Sequence, residues 1–332
     1  MQKTLLVLFA LLCFSLIALG RFQSDTSDIV PSERTLRIGV STSLLSSPII
    51  IAERLGFFSA QNIEVLLVPF KGGNACFNAM IRQDVDLATS SDSVIMFNSL
   101  QRDDFAVIAS FAESDNDLKL LTRGDENLTE LSQLDGKRIG MVMGSASQYF
   151  FDTVLDMNDA QLTTTNINLA PNEQGAALMA NAVDAISSWE PYAYKLHQSY
   201  PSKIHKFNTK GLYSISFNLL IQKHQSVQFQ EELVQLLKAL EQANEYILAH
   251  PQQAQTYVAQ YLKVPLNEVQ TLWPDYLFRL SLDNALVSNL NSQARWAIHR
   301  KLTERTSPPD YRLFIDPTAL NQALHKPLVR TK

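Results

Sequence analysis

Two loops of this chain carry hydroxyl groups at a density suited to recognising a small polar solute. Residues 41–48 read STSLLSSP and residues 143–149 read MGSASQY. Gly144 lets backbone approach a ligand closely. The helix expected behind it would expose unpaired N–H groups, which favour an anion by about 0.3–1 kcal/mol, or up to ~2 kcal/mol when partly buried. Ser145 and Ser147 add donors that can rotate to fit, and Gln148 sits in the same turn. Ser43 and Ser46 offer the same physics ahead of Pro48. The competing use of such serines is plain helix capping. In KGGN, residues 71–74, Gly73 permits close approach with Asn74 beside it, while Lys71 is either an anion partner or a solvated cation.

Two further loops bring acids. SSDS, residues 90–93, supplies Ser91 and Asp92, and SSWEP, residues 187–191, supplies Trp189 and Glu190. If these carboxylates face a ligand, a bare anion is a poor guest and a zwitterion or amine a better one. Trp189 could stack on a cation or a ring. The alternatives are a helix cap for Asp92 and a solvated first-turn acid for Glu190, ahead of Pro191. Glu113, Ser114 and Asp115 lie in a connecting stretch, and Tyr149, Tyr192 and Tyr213 are candidate walls. No catalytic constellation accompanies them. There is no Gly-x-Ser-x-Gly elbow and no Walker loop. The six histidines (197, 205, 224, 250, 299 and 325) lack metal-ligand spacing. No catalytic residue, metal or cofactor is therefore predicted. A helix start near Cys76 could lower its pKa, but a buried inert thiol is the preferred reading.

The elements that must position these loops are written twice. LRIGVSTSLLS, residues 36–46, and KRIGMVMGSAS, residues 137–147, both read basic-Ile-Gly-hydrophobic and then run into small hydroxyl residues. Each copy closes on a Val-Asp phrase, VDLATSS or VDAISSW, at nearly equal spacing. Between these phrases, strand and helix patterns alternate: IIIAERL after Pro48, IEVLLVPF, ACFNAMIRQ, and later QYFFDTVLDM, TNINLAP and NEQGAALMAN. Such alternation predicts parallel βαβ units. Two similar α/β lobes follow, each presenting a hydroxyl-rich loop at the carboxyl end of its first strand, where open α/β sheets bind ligands. Strand-like stretches at 105–123 and 211–223 bracket the second copy as crossings between lobes. The remainder is helical. Phe229, Leu233, Leu236, Leu237, Leu240, Ala243, Tyr246 and Ile247 share one helix face, Pro251 ends or kinks that helix, and PLNEVQTLWPDYLF and LVSNLNSQARWAIHRKL read as further helices.

Bulk properties agree with a binder of small molecules. The chain has 332 residues, 46% hydrophobic and 18% charged, enough for two domains. Its net charge of −5 gives nucleic acid no electrostatic support. Residues 1–20 hold one charge, Lys3, an apolar run and a small-x-small Ala18-Leu19-Gly20, which reads as a secretory signal or an uncleaved anchor over residues 4–20. Residues 21–34 read as a linker. Beyond the signal only Cys76 remains, so no intramolecular disulfide can form, which suits a bacterial periplasmic protein.

The stretch PIIIAERLGFFSAQNIEVLLVPFKGGNACFNAMIRQDVDLATSS resembles the solute-binding proteins of the nitrate, sulfonate and taurine ABC importers. LDGKRIGMVMGSASQYFF, VDAISSWEPYA, LVQLLKALEQANEYILAHPQQAQTYVAQYL and PPDYRLFIDPTAL are similar to that family's second lobe and carboxyl-terminal region. The resemblance covers about residues 35–325, and its order is more specific than any one motif. It implies an α/β type II periplasmic-binding-protein fold, with two βαβ lobes joined by two hinge strands. Lobe I would take residues 35–112 plus 212–330 and lobe II residues 113–211. It also implies a small-molecule solute, the membrane subunits of an ABC importer as partners, and a monomer. A related branch makes the thiamine pyrimidine with what look to be clustered histidine and cysteine, which this chain lacks. The alternatives kept are a membrane-anchored sensor and a binder of an amine or a thiamine-pyrimidine precursor.

Overall fold

The computed structural model describes residues 35–124 and 128–324. The amino-terminal apolar run and the linker lie outside these residues. Among the described residues eleven strands are formed: β1 (Thr35–Ser41), β2 (Glu64–Phe70), β3 (Leu87–Ser91), β4 (Phe105–Ser114), β5 (Leu118–Arg123), β6 (Arg138–Met141), β7 (Thr165–Asn168), β8 (Ala185–Trp189), β9 (Ile204–Lys206), β10 (Ile215–Gln222) and β11 (Tyr276–Ser281). They make two sheets. The first, in lobe I, has the order β11-β4-β10-β3-β1-β2, and the second, in lobe II, the order β7-β6-β8-β5-β9. β1 and β3 are central and covered on both faces, so all their residues except Thr35 and Arg37 are buried, the hydroxyls of Ser41, Thr89, Ser90 and Ser91 included. β2 lies at an edge, where Pro69 removes no needed donor.

The repeated phrases have one physical cause. In lobe I, the backbone N–H, Nε and Nη2 of Arg37 donate to the Asp86 carboxylate at 2.8, 3.1 and 2.8 Å. In lobe II, the same three groups of Arg138 donate to Asp184 at 2.8, 3.1 and 2.8 Å. Each aspartate N–H returns a bond to the arginine carbonyl at 2.8 Å. The basic residue that opens each copy is thus clamped by the Val-Asp acid just before the neighbouring parallel strand, which fixes the β1–β3 and β6–β8 registers. The bonds from Arg138 hold the Asp184 carboxyl below its ordinary range.

Register also shows which sheet edges meet. β10 runs antiparallel to both β3 and β4, with Phe217 opposite Ser91 on one side and Ala112 on the other. β4 therefore leaves lobe I at the edge where β1 and β3 end. β5 enters lobe II with Leu118 opposite Trp189, at the edge where β8 ends. The return crossing delivers β10 with Ile215 opposite Ser114. Both connections join carboxyl edge to carboxyl edge, so the strand-end loops of both lobes border the inter-lobe space.

The helices follow their capping and periodic signals. Ser47–Arg54 starts with Pro48 in its first turn, and Gln230–Ala249 buries Leu233, Leu236, Leu237, Leu240, Ala243 and Ile247. A new helix begins at Pro251. PLNEVQTLWPDYLF is not helical throughout, as its pattern had suggested. The helix covers Leu266–Leu272, a short turn spans Trp273–Asp275, and β11 follows. Pro274 cannot continue an α-helix, and beyond it Tyr276, Phe278 and Leu280 alternate toward the core as a strand requires. β9, with His205, is a three-residue strand antiparallel to β5. One apolar core runs through both lobes. A second packs Phe77, Phe105, Leu290 and Tyr311 on the other face of the first sheet.

Candidate functional site

Lobe II presents its loop ahead of the helix Ala146–Met157. Gly144 has φ +66°, a left-handed conformation that a side chain would strain. The turn is closed by its own polar groups. The Gly144 N–H donates to the Gln148 Oε1 at 2.8 Å, the Val142 N–H to the Ser147 hydroxyl at 3.0 Å, and the Ser147 N–H to the Ser145 hydroxyl at 3.1 Å. The Ser145 hydroxyl donates to the Val142 carbonyl, and the Ser187 hydroxyl to the Ser147 carbonyl, both at 2.7 Å. Ser145, Ser147 and Gln148 are therefore brought together, with their side chains spent on shaping the loop and tying it to β8. What the loop turns outward is Met143 and Gly144, both exposed, whose N–H groups are held by the Asn168 Oδ1 at 3.0 Å and the Gln148 Oε1.

Lobe I repeats the device. The Ser46 hydroxyl donates to the Ser41 carbonyl at 2.7 Å, and the Ser90 hydroxyl to the Gly73 carbonyl at 2.6 Å. A Cβ on Gly73 would lie 2.9 Å from the Ser90 Cα, so glycine is required there for the Gly73–Ile81 helix to seat against β3. Asn74 and Lys71 are exposed beside it, and the Ser91 and Ser93 hydroxyls bond each other at 2.9 Å. Cys76, one turn into that helix, is fully buried. Burial drives its thiol up to about 12, which makes it inert.

The two acids are internal. Asp92 is 0% exposed. It accepts from the Tyr213 hydroxyl at 2.8 and 2.9 Å, from the Asn289 amide at 2.5 Å, from the Gln293 amide at 2.9 Å and from the Ser93 N–H at 2.8 Å. It thereby joins helix Asp92–Ser99 to the return crossing and to helix Asn284–His299. Burial pushes its carboxyl up to about 6. Glu190 accepts from the Tyr194 N–H at 2.8 Å and faces the Lys119 Nζ at 3.9 Å. Burial raises Glu190 to about 7 and lowers the Lys119 ammonium. Lys119 also donates to the Asn116 carbonyl. Neighbouring Asp117, pushed to about 6 by burial, accepts from the Tyr276 hydroxyl at 2.7 Å, while Asn116 and Lys210 donate to Asp275 at 2.7 and 3.0 Å. These bonds fasten β11 of lobe I to both crossings.

Among the described residues, the Oγ atoms of Ser43 and Ser188, one from each lobe, are buried without a hydrogen-bond partner. Trp189 is half-buried, edge-on to Tyr192 with ring centres 6.5 Å apart. Sequence reasoning placed Ser188 in a candidate loop without singling it out. Its signal was the second serine before Trp189, which the pleat turns away from Ser187. The lobes also touch away from the crossings. The Trp296 indole N–H and the Arg300 Nε donate to Asp152 at 2.8 and 2.9 Å, and Tyr149 packs edge-on against Tyr213 and Trp296. Lys195 of lobe II lies 3.8 Å from Glu268 of lobe I. No group of three or more His, Cys, Asp or Glu side chains among the described residues is arranged to hold a metal.

Two α/β lobes, crossed twice and facing each other with strand ends and helix starts, define a type II periplasmic-binding-protein fold. The periplasmic aliphatic sulphonate binding protein SsuA of Escherichia coli superposes with a TM-score of 0.73 at 16% identity, over 86% of this chain and 92% of that one. The alkanesulfonate-binding protein SsuA of Xanthomonas axonopodis pv. citri, bound to MOPS, superposes with a TM-score of 0.70 at 19% identity, over 82% and 94%. In sequence, a Bacillus subtilis (strain 168) protein provisionally named an aliphatic sulfonates-binding protein is 28% identical over 249 residues, 73% of either chain. The chain belongs to the NMT1/THI5-like family, whose model matches residues 45–254.

Proposed function

We propose that this protein is a non-catalytic, monomeric receptor for a small sulfonate-type solute, held between the lobes and delivered to an ABC importer. The amino-terminal apolar stretch is taken as the signal for export to the periplasm, and the lobe boundaries are taken at residues 112–113 and 211–212. The observation that carries the reading is the edge-to-edge crossing. It supports a site in which the loops of Ser43, Ser46, Gly73, Asn74 and Ser91 act together with those of Gly144, Ser145, Ser147, Gln148 and Trp189. A ligand must touch both lobes to favour the closed arrangement. The facing loops offer helix starts and the unpartnered Ser43 and Ser188 hydroxyls, with Lys71 exposed beside Gly73, a set that suits a small anion. Asp92 and Glu190 do not oppose this, because their carboxylates are engaged within the protein. The kinship with sulfonate-binding proteins points the same way.

Calorimetric titration with ethanesulfonate, MOPS, taurine, nitrate, sulfate and a plain amine tests the reading. Saturable binding of a sulfonate with a Kd at or below the micromolar range is expected. Binding of the amine alone would show that the acids, not the hydroxyl loops, select the solute.

A further inference from the structure

A cavity of about 330 Å³ lies on the hinge flank, and none of Ser43, Ser46, Gly73, Ser145 or Trp189 lines it. It is walled by β4, β10, β11 and helix Asn284–His299 of lobe I, bordered by Tyr149 and Thr153 of lobe II, and open to solvent on one side. Of the strand-end loops only Tyr149 reaches it. Tyr213 and Asn289 line it while also holding the Asp92 carboxylate, and neither Asp92 nor Ser91 is part of its lining.

The polar lining is matched in donors and acceptors. The side chain of Asn218 has a fixed orientation, because its Nδ2 donates to two carbonyls, of Ser90 at 3.3 Å and of Ser216 at 3.2 Å. The same Nδ2 donates to the Ser216 hydroxyl at 3.1 Å, which leaves the Ser216 proton to be given elsewhere. On the other side, the Ser110 hydroxyl spends its proton on the Asn218 Oδ1 at 2.6 Å, which leaves its lone pairs to accept. Ser110 and Ser216 both line the cavity. They offer one acceptor and one donor, the pair a single guest hydroxyl satisfies. Farther along the wall, Arg279 and Glu113, 3.3 Å apart, again offer a donor and an acceptor with no net charge between them. The carboxylate of Asp283 caps its own helix through the Ala285 N–H at 3.0 Å. A volume near the lower end of ligand pockets suits a small molecule.

From this geometry we infer that the hinge-flank cavity is a second binding site, for a small neutral polyhydroxylated molecule such as a polyol or monosaccharide. The guest touches both lobes, so it favours their closed arrangement and strengthens solute binding by linkage.

The test is saturation-transfer NMR and calorimetry on the full mature chain with glycerol, myo-inositol and glucose, each with and without saturating ethanesulfonate. At least one neutral polyol is expected to saturate in the millimolar range and to weaken at least about tenfold in both Ser216→Met, which fills the cavity, and Ser110→Ala, which removes the acceptor. Near-UV circular dichroism checks that both variants fold. The sulfonate should tighten polyol binding by the factor by which the polyol tightens sulfonate binding. Three results each overturn the proposal: no saturation by any polyol, saturation undiminished in both folded variants, or displacement of polyol by sulfonate. None of them bears on sulfonate binding itself, which the same titrations read separately.

Discussion

Asp152→Ala tests whether the lobes are held by the contact between helices Ala146–Met157 and Asn284–His299. The Asp152 carboxylate is 3% exposed and accepts from the Trp296 indole at 2.8 Å and the Arg300 guanidinium at 2.9 Å. A hydrogen bond to a charged group contributes about 1.5–3 kcal/mol. Arg300 is half-exposed, so its share is held to about 0.5–1 kcal/mol. All of this belongs to the closed arrangement, because donors and acceptor sit on opposite lobes. Losing about 2–3 kcal/mol from the closed state alone shifts the equilibrium roughly 30–150-fold toward open, and the Kd for solute rises by the same factor when the open state dominates. Asp152→Asn retains an acceptor for Trp296 and should cost less than about tenfold. Calorimetry with ethanesulfonate reads the Kd, and stopped-flow fluorescence of Trp296 reads dissociation. A Kd in Asp152→Ala equal to that of the native protein would show that these bonds do not discriminate between arrangements.

Further outcomes concern stability and the facing loops. Burial raises Asp92 and Asp117 to about 6 and Glu190 to about 7, so the native state binds more protons than the unfolded chain between about pH 4 and pH 7. Stability should therefore fall as pH rises through this window, by up to ~1.4 kcal/mol per pH unit for each group. Asp104, Asp184 and Asp310 are held below their ordinary value and act beneath that window. A urea midpoint higher at pH 7.5 than at pH 5.5 would contradict the assignment. Gly73→Ala places a methyl 2.9 Å from the Ser90 Cα, and should cost about 1–3 kcal/mol in urea unfolding while weakening sulfonate binding. Ser188→Ala removes a buried hydroxyl that has no partner in the protein, so the urea midpoint should hold or rise even where the affinity for sulfonate drops. A lowered midpoint would show that the hydroxyl serves the fold.

Much of the architecture was legible because it is written as local periodicity. The doubled Arg-Ile-Gly and Val-Asp phrases marked two lobes. Their cause, the clamps of Arg37 on Asp86 and Arg138 on Asp184, joins residues far apart in sequence that parallel pairing brings side by side. Where periodicity was ambiguous the reading failed. Tyr276–Ser281 followed a helical stretch without a turn signal other than Pro274, and pairs with β4 only because that crossing strand needs an edge partner. The loops bordering the inter-lobe space were legible as positions, but the direction of each side chain was not. Asp92 turns inward because Tyr213, Asn289 and Gln293, all distant in sequence, converge on it, and Ser188 turns from Ser187 by the pleat of β8.

The central claim is that solute bridges two mobile lobes through their facing loops. Spin labels placed at exposed Asn74 in lobe I and exposed Met143 in lobe II report the distance between them by double electron–electron resonance. Saturating ethanesulfonate should collapse a broad or long distance distribution to a single shorter one. A distribution unchanged by a sulfonate that calorimetry shows to be bound would contradict the account.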